Sequence, residues 1–177
     1  DDRAALAEAF DDGGDADVLV TTAGASVGEH DHVRGALADT GWELAFWRVA
    51  IRPGKPLLVA RRGHQLALGL PGNPNSSFVT AFLFVLPLLR ALQGATHPFA
   101  AALALPLAAS LPPGEDRREF RRARFVEGRA EPLPERDSSA LATLAAADLL
   151  IDRPIGAPAA GPGESVPCYW IGNGAFA

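Results

Sequence analysis

The sequence predicts an α/β domain followed by a small β domain, and three observations carry that prediction. Val18-Leu19-Val20-Thr21-Thr22 is a β-branched run without polar alternation, the pattern of a parallel strand covered on both faces. It opens into the small-residue loop 23–28 and then into a helical segment, so strand, loop and helix form half of a βαβ unit. Beyond Pro98 the texture changes to short runs broken by prolines at 106, 112, 113, 132, 134, 154, 158, 162 and 167, the punctuation of a β-rich domain. The expected domains are residues 1–97 and 98–177.

In chain order, residues 3–10 read as the end of an amphipathic helix, with Leu6 and Phe10 four apart and Asp11-Asp12-Gly13-Gly14 stopping it. Residues 29–38 form the helix after the glycine loop, with Val33 and Leu37 on one face and Gly41 near its end. Strands are expected at 42–51, 56–60 and 65–70, the last two joined by the turn Arg61-Arg62-Gly63-His64. Phe78, Phe82, Val85 and Leu89 then mark a long helix over 76–92, capped by Asn75 or Ser76 and bent at Pro87, where the ring removes a backbone donor. The second domain holds strands at 103–109, 119–127, 149–152 and 165–171 and a helix at 138–147.

Composition bounds the function. A chain of 177 residues that is 48% hydrophobic is of the soluble globular class, and its 18 glycines and 15 prolines follow no period. A net charge of -5 gives no electrostatic case for nucleic acid or an anionic membrane surface, so an anionic ligand must meet a local basic cluster. Cys168 is the only cysteine, which excludes an intrachain disulfide and fits a reducing cytoplasm. No charged segment followed by an apolar core opens the chain, and the apolar stretch 78–89 falls short of the roughly 20 residues a bilayer requires. The chain has no methionine and begins at Asp1, from which we expect a preceding segment.

Several constellations are candidates for chemistry. Gly24-Ala25-Ser26-Val27-Gly28 matches G-x-S-x-G between a strand and a helix, so Ser26 is a candidate hydrolase nucleophile with His64 or His97 as its base. The same loop reads as a turn set by steric crowding, or as a phosphate-binding loop whose backbone amides attract anions. Asp31, in the first turn of the next helix, either answers the helix dipole or holds Mg²⁺ beside a phosphate. Arg52-Pro53-Gly54-Lys55-Pro56 contains the only lysine, and its two cations bracket a rigid turn that would aim both at one anion. Pro71-Gly72-Asn73-Pro74-Asn75-Ser76 is a second rigid loop, which with the glycine loop would converge on the crevice where open α/β sheets bind ligands. Residues 117–124 hold five arginines in eight positions, read as a solvated, salt-bridged strand, with nucleic acid the weaker alternative.

Taken together, residues 17–31, residues 46–56 and residues 69–76 resemble, in order and spacing, the molybdopterin molybdenumtransferase family (MoeA, the gephyrin E domain and the plant Cnx1 E domain). The likeness runs on through 117–122 and 138–144. It implies an incomplete three-layer α/β/α domain of the MogA/MoaB type, then a small β-barrel-like domain. It also implies insertion of molybdate into the dithiolene of adenylylated molybdopterin, with release of AMP and help from Mg²⁺. By resemblance Gly24, Ser26, Gly28, Asp31, Pro71, Gly72, Asn73 and Pro74 meet the nucleotide and pterin, and Asp31 also stands at the metal. Arg52, Lys55, Ser76, Arg117 and Ser138 form the molybdate pocket, with Asp31 and Lys55 as catalytic groups. Family members are homodimers whose cleft draws on domains preceding this segment, so the chain is expected to be a fragment inactive alone. A non-enzymatic scaffold of the same fold is the alternative. The family carries Gly-Gly-Val where Ala23-Gly24-Ala25 stands, Lys at 52, Val at 75, and Gln-Gly-Ser where Arg136-Asp137-Ser138 stands.

Overall fold

The computed structural model describes residues 2–23, 32–134 and 141–171. Gly24, Ser26, Gly28, Asp31 and Ser138 therefore lie outside the described residues. The chain divides into two compact units, Asp1–Val49 with Gly54–Ala81, and Ala50–Pro53 with Phe82–Ala177.

The first unit is a four-stranded sheet with helices. Helix α1 (Arg3–Asp12) begins where the Asp2 carboxylate accepts from the Ala4 N–H at 2.9 Å. Strand β1 (Val18–Thr22) follows, then α2 (His32–Asp39), β2 (Glu43–Trp47), β4 (Leu58–Arg62) and β5 (Gln65–Leu70), in the spatial order β1-β5-β4-β2. The β4–β5 hairpin turns on Gly63-His64, with Gly63 at φ 60, as the sequence predicts. The expected single strand over 42–51 is two strands in different sheets. Arg48 sits at φ 75, a left-handed residue that breaks the run, and β3 (Ile51–Arg52) pairs in the second unit.

Phe10, Val33, Ala36, Leu37 and Trp42 pack with Leu58, Ala60 and Ala67 as the core of this unit, so α1 and α2 cover one sheet face. Leu68 and Leu70 alternate with Ala67 and are buried too, which covers both faces of β5. Strand β1 departs from its expectation of burial on both faces. It ends the order of described strands, and Val20 is 45% exposed.

A 19-residue helix leaves this unit as α3 (Pro74–Thr80), a π-helical segment (Ala81–Val85) and α4 (Leu86–Leu92). The bend predicted at Pro87 takes this form because the proline ring crowds the carbonyl of Leu83, which lies within the π segment. The helix exceeds the expected twelve apolar residues and, with mean hydropathy 1.5, is long and apolar enough by those measures to cross a membrane. A third of that apolar window is buried inside the protein, including Val79, Phe82 and Val85.

The second unit is a curled sheet of β3, β6 (Leu103–Pro106), β7 (Arg118–Val126), β8 (Arg129–Pro132), β9 (Leu149–Arg153) and β10 (Ser165–Trp170), with the short helix α5 (Leu141–Ala145). Its order is β3-β7-β9-β10-β6 with β8 also on β7, and a bridge from Leu107 to Ala130 brings the two margins together in the manner of a small barrel. Strand β8 was not foreseen. Its signal is Glu127-Gly128, at φ 49 and 79, a two-residue hairpin turn. Leu107, Ala123, Leu149, Ile151, Val166 and Cys168 form the interior.

Burial first, and the Asp152 charge second, push the Cys168 thiol up to about 11. A raised pKa stabilises the fold below the thiol's ordinary value, and that contribution is lost as pH rises through about 11. We expect iodoacetamide at about pH 8 to leave Cys168 unmodified in the native chain and to alkylate it fully in denaturant, read by intact mass.

Candidate functional site

Parallel pairing builds one edge of the site. Strands β1 and β5 run in register from Val18↔Leu66 to Thr22↔Leu70, so the segments leaving their C-terminal ends emerge side by side. The Ala23 N–H donates to the Leu70 carbonyl at 3.1 Å and extends the ladder by one residue. Gly72 is in contact with that residue, since a Cβ placed on it would stand 3.1 Å from the Ala23 Cβ and 3.4 Å from its Cα. Two of the loops singled out in the sequence therefore meet at Ala23 and Gly72, at the strand ends where α/β sheets bind ligands.

The loop through Pro71, Gly72, Asn73 and Pro74 is rigid through its own hydrogen bonds. Asn73 Oδ1 accepts from the Ser76 N–H at 3.2 Å, the Asn73 carbonyl accepts from the Ser77 N–H at 2.8 Å, and Ser77 Oγ donates to the Pro71 carbonyl at 2.9 Å. Asn73 is thus the helix cap, rather than Asn75 or Ser76. Pro74 takes the first helical position, where a missing N–H costs nothing. Ser76 is buried in the first turn, and its carbonyl accepts from Thr80 Oγ1 at 2.8 Å. Asn75 is 3% exposed, yet its Oδ1 has no hydrogen-bond partner among the described residues, and Thr21 Oγ1 near the end of β1 has none either. Buried oxygens left unpaired cost free energy and commonly mark a place where something else binds.

Lys55 is exposed in this unit, while its carbonyl accepts from the Val49 and Leu57 N–H groups, both at 3.1 Å. Its backbone is fixed and its ammonium faces solvent. The Pro-Gly turn between Arg52 and Lys55 depends on Gly54, at φ 113.

In the second unit Arg52 lies beside the arginine-rich strand. Strand β3 pairs parallel with β7, setting Ile51 opposite Arg118 and Arg52 opposite Glu119, and Glu119 in turn stands opposite Arg153 on β9. Glu119 is only 2% exposed. Its Oε2 accepts from Arg121 Nε at 2.9 Å and its Oε1 lies 3.5 Å from Arg52 Nη1. Arg52 Nη1 also reaches the exposed Glu115 carboxylate at 3.2 Å. Arg117, just before β7, has Asp116 at 3.6 Å.

On the opposite strand face Arg118 grips the buried Asp152 with two hydrogen bonds of 2.7 and 2.5 Å, which raises the arginine's pKa. Burial, then the Asp152 charge, raises the Tyr169 phenol. The arginine run is therefore salt-bridged as expected but not solvated throughout, since Glu119, Phe120, Arg122 and Ala123 are all buried. Neither Glu115 nor Glu119 was foreseen as a partner of Arg52. The single acid inside the run was the available signal, whereas a two-residue strand leaves no periodicity to read.

Ser26 of the hydrolase constellation lies outside the described residues. His64 occupies the exposed turn before β5, at the opposite end of that strand from Ala23. No group of three His, Cys, Asp or Glu side chains able to hold a metal ion occurs among the described residues.

Two family models match the chain, a probable molybdopterin binding domain over residues 1–91 and the MoeA C-terminal region (domain IV) over residues 104–171. A molybdopterin molybdenumtransferase from Synechococcus elongatus is 42% identical over 130 residues, which are 72% of this chain and 32% of that protein. The Haemophilus influenzae protein of that name is 43% identical over 79 residues, 45% of this chain and 19% of its own length. A molybdopterin biosynthesis MoeA protein from Pyrococcus horikosii superposes with a TM-score of 0.77 at 26% identity, over 96% of this chain and 41% of that one. The chain thus spans about a third or less of these two curated relatives.

Ala23 at φ 80 occupies a left-handed conformation that costs an alanine about 1–2 kcal/mol, partly offset in glycine by chain entropy. Ala23→Gly should therefore raise stability, by up to about 1 kcal/mol in denaturant melts. Asn75→Leu, which removes the unpaired buried oxygen, should raise the melting temperature as well.

Proposed function

Because the chain belongs to the MoeA family, we propose that the protein carrying it inserts molybdate into the dithiolene of adenylylated molybdopterin and releases AMP. In this reading residues 1–97 form the molybdopterin-binding domain and residues 98–177 the C-terminal domain of a cytoplasmic homodimer, with no nucleic-acid or membrane partner. Gly24, Ser26, Gly28, Pro71, Gly72, Asn73 and Pro74 bind the nucleotide and pterin. Arg52, Lys55, Ser76, Arg117 and Ser138 hold the molybdate, and Lys55 and Asp31 act on the reacting groups.

The observation that supports this reading best is the parallel β1–β5 pairing, from which two loops leave one sheet edge and touch at Ala23 and Gly72. Cations and hydroxyls on short, rigid segments suit a compact tetrahedral dianion. Arg52 contributes a planar fork and Lys55 a point charge. Asp31 supplies one carboxylate, and no cluster of described residues completes a cage. Mg²⁺ held in this way takes its other oxygens from substrate phosphates and water, where it neutralises phosphate charge.

Calorimetric titration of molybdate, with Mg²⁺ and AMP, into the protein expressed from its complete gene tests this. We expect saturable binding that weakens about tenfold or more in Lys55→Ala and Arg52→Ala, the loss of a charge-assisted contact. Folded wild type that takes up no molybdate overturns the assignment.

A further inference from the structure

We propose that Glu115, with Asp116 beside it, is an intramolecular competitor for the oxyanion, occupying the cations that the anion requires and so restricting the site to strongly charged ligands. The inference rests on the reading above, in which Arg52 and Arg117 bind molybdate.

The segment carrying these acids is fixed by its backbone. Gly114 N–H donates to the Ala157 carbonyl at 2.7 Å, and the Glu115 carbonyl accepts from the Gly156 N–H at 3.0 Å. Gly114 is held so closely that a Cβ there would come within 3.0 Å of the Ala157 nitrogen and the Pro154 carbonyl oxygen. From this anchored segment two exposed carboxylates project, each onto a different arginine. Glu115 Oε2 stands 3.2 Å from Arg52 Nη1, and Asp116 Oδ1 stands 3.6 Å from Arg117 Nε.

The two acids that face Arg52 differ in kind. Glu119 is 2% exposed and shared with Arg121, so it is a permanent counter-ion. The Glu115 side chain is 60% exposed and can swing into water at little cost. Glu115 and Glu119 both stand on Arg52, and Arg121 shares Glu119. Release of Glu115 takes one negative charge away from Arg52, where a dianion gains most from it. A weakly charged anion gains less from the exchange and is rejected, a specificity set by an opposing element rather than by a closer fit.

Molybdate titration into the protein from its complete gene, at about 50 mM and about 500 mM salt, tests the proposal. We expect Glu115→Gln to tighten binding about threefold at low salt, the scale of an exposed ion pair, and Glu115→Gln/Asp116→Asn to tighten it further. The gain should shrink at high salt. Glu127→Gln, at the far end of β7, should match wild type and so separates local competition from a general change in net charge. Binding that is unchanged or weaker in Glu115→Gln, or tightened equally by Glu127→Gln, overturns the competitor while leaving the molybdate site intact. Failure of wild type and every variant to bind molybdate, with native melting curves, overturns both.

Discussion

A carboxylate taken out of water has to be paired, and Glu119 is the clearest case in this chain. At 2% exposure it holds Arg121 on its own strand and Arg52 on the neighbouring one, with Arg153 opposite in the register beyond. Removing either cation would leave a buried charge short of a partner, so the three-strand row β3-β7-β9 is fixed by electrostatics as well as by its ladder. That row binds residues 50–53 to the second unit although their chain neighbours on both sides belong to the first. The turn carrying Arg52 and Lys55 is thus divided. One cation is set by an ion-pair network and the other by the main-chain bonds of its own unit.

The arginine run illustrates how one residue type serves several ends. Arg118 neutralises Asp152 and lies 5.5 Å from the Phe120 ring centre, a structural role on one strand face. Arg121 answers Glu119 on the other face. Arg117, just before the strand, has beside it Asp116, whose side chain lies 85% open to solvent. Charge density that reads from composition as a single basic patch is in part consumed by buried acids, Asp152 and Glu119.

Several irregularities of the first unit lie where β1 and β5 end. A left-handed alanine, a close backbone approach at Gly72 and two buried oxygens without partners all belong to the segments leaving that edge. The interior of the same unit, from Phe10 to Ala67, is apolar packing that also buries the Trp42 Nε1 without a hydrogen-bond partner among the described residues.

The sequence by itself determined the two-part architecture, the parallel strand at 18–22, the hairpin at Gly63-His64 and the long apolar helix, because each rests on local periodicity or turn chemistry. It also carried the family, since three motifs in fixed order are local text. It misplaced the helix cap by two or three residues, because Asn73, Asn75 and Ser76 are all competent caps. It overstated the cover on β1, since burial depends on what lies against a strand and not on the strand's own residues. Only the tertiary structure decided that residues 42–51 split between two sheets, that Glu119 is buried and that Glu115 reaches Arg52, 63 positions earlier in the chain. Pairing across such separations is fixed by register and desolvation, which no local pattern encodes.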